Sequence, residues 1–149
     1  MKLAEALKER ADLNRQIEQL RSRLSHNAIV QEGEAPAEDP GDLLAQLDRA
    51  TARLEELMAS INLANSRTVV NDKTLTQIIA RKDCLRLRLE AYRELAETAS
   101  QTARRATRSE IRILSTVDVK TIQAQVDTMA KELRLLDNEL QQTNWTTEL

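Results

Sequence analysis

The chain has 149 residues, 22 Lys and Arg against 24 Asp and Glu, and a formal net charge of -2. Phe is absent, and Gly and Pro occur twice each, so a β-sandwich or an α/β sheet lacks both its usual filling and its turn residues. Near-balanced charge withholds the electrostatic footprint of a general nucleic-acid binder, and no nucleic-acid partner is expected.

The apolar residues recur at three-and-four spacing, the period of one helix face packed on other helices. A first helix is expected over about residues 2–26, with Leu3, Ala6, Leu13, Ile17, Leu20 and Leu24 on one face. Arg10 interrupts that face and belongs at its edge, stem covered and head in water. His26, the single histidine, closes the helix, where a cation is favoured by the dipole. Position 23 is Arg23, so no Glu-x-x-His element for a di-iron centre exists.

Residues 27–41 hold every Gly and Pro of the chain and read as a loop. This loop and the first residue after it carry Glu32, Glu34, Glu38, Asp39 and Asp42. These carboxylates are the candidate ligands for a divalent cation such as Ca²⁺ or Mg²⁺, although the alternating ligand pattern of an EF-hand is missing. A solvated acidic loop is the competing reading, and no other cofactor is expected.

The second helix is expected over 42–64 with Asp42 as its cap, carrying Leu43, Leu47, Ala50, Leu54, Leu57, Ile61 and Ala64 at unbroken spacing. The third is expected over 75–105, opened by Thr74 and Gln77 at capping-box spacing, and carries Leu75, Ile78, Leu85, Leu89, Tyr92, Ala96, Ala99 and Ala103. Cys84 sits beside Leu85 and reads as a small buried or boundary residue. As the only cysteine it cannot form an internal disulfide, which fits a reducing cytosol. Glu94 and Glu97 provide half of a magnesium-binding Glu-x-x-Glu pairing without a downstream partner, and read as solvated charges.

Arg104, Arg105, Arg108 and Arg112 gather where the third helix ends. Without aromatic neighbours they point to charge pairing, within or between subunits, more than to phosphate. The fourth helix is expected over 118–142, capped by Thr116 or Asp118, and carries Val119, Ile122, Val126, Met129, Leu133, Leu136 and Leu140. Trp145, after that helix, is expected to dock near the middle connection or across a subunit boundary. The string Asn144-Trp145-Thr146 is formally a glycosylation acceptor, which has meaning only on a secretory route, and none is expected.

Short β-prone runs sit at all three connections: Ala28-Ile29-Val30, Thr68-Val69-Val70 and Ile111-Arg112-Ile113-Leu114. In an up-down-up-down arrangement the first and third runs share an end and could pair as a small sheet. The expected fold is therefore all-α: a single domain over 1–149, an antiparallel four-helix bundle of long coiled-coil-like helices, with short β segments in the connections. Charges at Lys8, Glu9 and Arg10 break any signal-peptide core. No window approaches the ~20 apolar residues of a membrane span, so a cytoplasmic chain is expected.

Several strings resemble a small bacterial family named septicolysin. They are Met1-Lys2-Leu3-Ala4-Glu5-Ala6-Leu7, Val30-Gln31-Glu32-Gly33-Glu34, Glu38-Asp39-Pro40, Arg108-Ser109-Glu110-Ile111, Thr116-Val117-Asp118-Val119 and Asn144-Trp145-Thr146-Thr147-Glu148-Leu149. The family name implies a membrane-active lysin and supplies no catalytic residue. The residues themselves favour a non-enzymatic helical assembly or interaction protein, with homo-oligomer formation expected from the long apolar stripes. An enzyme or metal-binding protein using the helix-end loops is the alternative.

Overall fold

The computed structural model of the chain describes residues 1–102 and 111–149. Among these, four long helices carry the fold: α1 (Leu3–His26), α2 (Pro40–Arg67), α3 (Leu75–Ala99) and α4 (Val119–Thr146). The protein is all-α apart from a two-stranded ribbon, β1 (Val69–Val70) and β2 (Lys73–Thr74). The chain groups into two compact units, Met1–Val70 with Thr143–Leu149, and Asn71–Gln142.

In the first unit α1 and α2 run antiparallel, because Glu9 near the start of α1 meets Arg53 far along α2 while Arg23 meets Glu38 at the other end. Leu3, Ala6 and Leu20 of α1 and Leu43, Ala50, Leu57 and Ile61 of α2 are buried, and all lie on the spacing that predicted the faces. Leu13, Ile17, Leu47 and Leu54 share that spacing but are only half-buried, since two helices meet along one seam. Arg10 is half-buried at the edge. Helix α2 starts two residues before the expected Asp42. Asp39 is its cap, Oδ1 accepting from the Gly41 N–H at 3.0 Å, and Pro40 takes the first helical position, where a missing N–H costs nothing.

In the second unit Thr74 and Gln77 form the reciprocal cap of α3: Gln77 N–H donates to Thr74 Oγ1 at 3.2 Å and Thr74 N–H to Gln77 Oε1 at 2.9 Å. Asp118 caps α4, accepting from Lys120 N–H at 3.2 Å and from the Thr121 hydroxyl at 2.7 Å. Leu85, Leu89, Val126 and Met129 form a core cluster of α3 and α4, with Tyr92, Ala130 and Leu133 packed against it, and Leu75, Ile78, Ala96 and Leu140 are buried as well. Helix α3 ends at Ala99, and α4 continues through Trp145, beyond its expected end at 142.

The expected pairing of residues 28–30 with 111–113 does not form. Neither run is a strand, and Ile29 and Ile111 stand 87% and 78% exposed. The ribbon forms instead in the middle connection, where Asn71 (φ 48°) and Asp72 (φ 65°) adopt the left-handed conformation of a two-residue hairpin turn. Asn and Asp tolerate that conformation better than other side-chain-bearing residues, and a local turn closes at far less entropic cost than a long-range pairing.

Candidate functional site

The acidic connection between α1 and α2 is tied down by specific partners. Arg23, in the last turn of α1, grips the Glu38 carboxylate with two guanidinium donors, Nε to Oε2 at 3.0 Å. Asn27 completes the stitch, its Nδ2 donating to the Arg23 carbonyl at 2.8 Å and its Oδ1 accepting from the Glu38 N–H at 3.0 Å. The guanidinium holds the Glu38 carboxyl below the usual carboxylate range. Gly33 turns the loop at φ +86°, a conformation that strains any residue with a Cβ.

That geometry leaves the five candidate metal ligands dispersed. Glu38 faces Arg23, Asp39 caps α2, and Glu32, Glu34 and Asp42 are exposed on loop and helix surface. Among the described residues no three His, Cys, Asp or Glu side chains converge as a metal site would require. His26 is exposed at the last position of α1. Arg112 is exposed ahead of α4, while Ala103, Arg104, Arg105 and Arg108 lie outside the described residues.

Trp145 is 49% exposed and lies against α1, with Lys8 Nζ 4.7 Å above its ring centroid. The tryptophan lies inside the last turn of α4, so the helix itself carries the ring to that position. Beside it the chain ends are clasped. Leu3 N–H donates to the Thr147 carbonyl at 2.9 Å and Leu149 N–H to the Met1 carbonyl at 3.0 Å. Glu148 takes the Met1 ammonium at 3.1 Å and Lys2 Nζ at 2.6 Å, which hold its carboxyl below the ordinary value. Asn144 is buried at 6% exposure, so its amide is not presented as a glycosylation acceptor would be.

Cys84, expected to be buried or at a boundary, is exposed. One residue along a helix turns about 100°, and that step carries Cys84 off the face that buries Leu85.

Elsewhere the charged groups hold one another. Arg53 binds both Glu9 oxygens, at 2.7 and 3.1 Å, and also reaches Glu56 at 3.2 Å. Lys82 pairs with Asp137, Arg81 with Glu132, and Asn71 donates to Glu139 at 2.5 Å. Glu9, Glu38, Asp137 and Glu148 are shifted down by these partners, and Arg23 and Arg53 are shifted up by theirs. Each of these shifts favours the charged form. In each case a hydrogen-bonded partner of opposite charge is the cause.

An open groove of about 380 Å³ is lined by Leu135 and Leu136 together with Arg81, Thr128, Lys131, Glu132 and Glu139. A second, of about 370 Å³, is lined by Arg88, Tyr92, Thr121, Gln125 and Met129 among others, the Arg88 guanidinium resting 5.4 Å from the Tyr92 ring centroid. Among the described residues no helix is long and apolar enough to cross a membrane.

A family model described as a family of unknown function, DUF6847, matches residues 10–149. The chain belongs to that family. A solved structure similar to this DUF6847 chain is described as a functionally unknown conserved protein from Corynebacterium diphtheriae. It is 38% identical, with a TM-score of 0.94, over 100% of this chain and 98% of that one. A comparison with curated proteins finds no match. The resemblance to septicolysin is overturned, since neither the DUF6847 family nor the solved structure carries that name. Much of the likeness rested on strings at helix starts. Glu38-Asp39-Pro40 and Thr116-Val117-Asp118 hold the caps of α2 and α4, where helices of any lineage favour the same residues. The lytic reading rested on that name alone.

Proposed function

We propose that this chain is a non-enzymatic helical assembly protein that works in the cytosol by associating with copies of itself through outward helix faces. The observation that carries this reading lies in the α3–α4 pair. Beside its buried residues, Leu87 and Leu95 of α3 and Leu135 of α4 stand 66%, 42% and 55% exposed. Fully covering an exposed leucine contributes about 1.5–3 kcal/mol, and these three, already partly covered, would each gain roughly half of that on association. The exposed free thiol of Cys84 suits a reducing compartment.

Light scattering across a dilution series of the full chain tests the proposal. A mass that rises above one chain with concentration is expected. A mass of one chain up to the highest soluble concentration refutes self-assembly.

A further inference from the structure

Helix α3 is apolar on two faces. One buries Leu75, Ile78, Leu85, Leu89 and Ala96. The other consists of Ala80, Cys84, Leu87, Ala91 and Leu95, all exposed and spaced by four, three, four and four residues. At about 100° per residue these five fall within one narrow stripe, turned well away from the buried face. The inward spacing accounts for none of them, and Leu87 is the most exposed leucine on any helix body among the described residues.

Charge flanks this stripe with opposite signs on its two sides. Arg81 and Arg88 lie along one edge, and Asp83, Glu90 and Glu97 along the other. In heptad terms Cys84 and Ala91 are a positions, Ala80, Leu87 and the exposed Glu94 are d positions, the acids Asp83, Glu90 and Glu97 are g, and Arg81, Arg88 and Leu95 are e. Glu90 and Glu97 make no ion pair among the described residues, and Asp83 has only Arg86 at 4.0 Å on its own helix, while on the basic edge Arg81 is paired with Glu132 and Arg88 rests on the Tyr92 ring.

A stripe so flanked is complementary to itself in one orientation. When two such helices lie parallel about a twofold axis, the acidic edge of each faces the basic edge of the other, and the g residue meets the e residue five positions on. That register sets Asp83 against Arg88 of the second copy, twice by symmetry. An antiparallel pair sets acid against acid and arginine against arginine, which is repulsive.

We propose that α3 pairs in parallel with α3 of a second copy of this chain through the Ala80–Leu95 stripe, bringing the two Cys84 thiols face to face. This rests on the self-assembly reading and specifies its interface. Equivalent a and d residues face one another across a parallel pair, so Cys84 reports the arrangement directly.

The test uses the full chain under reducing conditions. Light scattering is expected to give twice the chain mass, and a short bis-maleimide is expected to join two chains through Cys84. Leu87→Asp, a change at an exposed position, is expected to halve the mass and abolish the cross-link while the helical circular dichroism is kept. Arg88→Glu is expected to weaken the dimer at least tenfold, and Asp83→Arg added to the same chain to restore it. An oligomer that survives Leu87→Asp overturns this interface and leaves self-assembly standing. An oligomer that Leu87→Asp dissolves, in which Cys84 does not cross-link and Arg88→Glu tightens association, is antiparallel and overturns the arrangement. One-chain mass at every concentration overturns both proposals.

Discussion

Two leucines two residues apart on α3 allow the helix pair to be tested by contrast. Leu89 is 2% exposed against Leu85, Val126 and Met129, whereas Leu87 is 66% exposed on the opposite side. Leu→Ala in a core costs about 2–5 kcal/mol, the lower values belonging to sites whose neighbours can settle into the space. Met129 is flexible and the seam between two helices is open at its edges, so Leu89→Ala is expected to cost about 2–3 kcal/mol. For a chain of this size each kcal/mol moves the melting temperature by about 2–4 °C, which gives a fall of ~4–12 °C. Leu87→Ala removes little buried surface and introduces a better helix former, so its effect in dilute protein is expected within about 0.5 kcal/mol. Thermal melts followed by helical circular dichroism decide the matter. Equal shifts for the two variants, or a Leu89→Ala melt indistinguishable from wild type, would show that this face is not the core.

Arg23 lowers the Glu38 pKa in the fold, so the pair contributes stability above the unfolded carboxylate pKa of about 4.3 and loses it as pH falls through the lowered folded value. Wild type is expected to melt above Glu38→Gln at neutral pH, with the gap closing in acid. A gap independent of pH contradicts the pairing. Asp72→Gly places the residue most tolerant of φ 65° in the hairpin turn, and a gain of up to about 1 kcal/mol is expected by thermal melt; a loss would refute the turn assignment. Lys8→Met and Trp145→Leu, combined in a double-mutant cycle, are expected to couple by about 0.5–1 kcal/mol, and additive effects would dissolve the cation–π contact.

The helix faces were legible because burial is periodic and residue type records it. Leu43, Ala50, Leu57 and Ile61 on α2, and Val126, Met129 and Leu140 on α4, are buried on the spacing that predicts them. Partner choice was not legible. Glu38 looks like any other loop carboxylate until the fold brings Arg23 to it, and the seat of Trp145 on Lys8 joins residues near opposite ends of the chain. Cys84 was misplaced because a single step around a helix separates core from surface. The ribbon had a local signal in Asn71-Asp72, two residues suited to left-handed turns between β-prone neighbours. The second stripe of α3 also left a trace, since Leu87 and Leu95 belong to no inward face.

The two hydroxyl- and indole-bearing aromatic rings are distributed one to each compact unit. Trp145, the only tryptophan, lies in the first, and Tyr92, the only tyrosine, packs against the core of the second. Each unit thus has its own natural chromophore. Tryptophan emission follows the melting of the first unit, which includes the last turn of α4, and the tyrosine signal follows that of the second, in the unlabelled wild-type chain. Coincident transitions mark one cooperative folding unit, and separated transitions mark two.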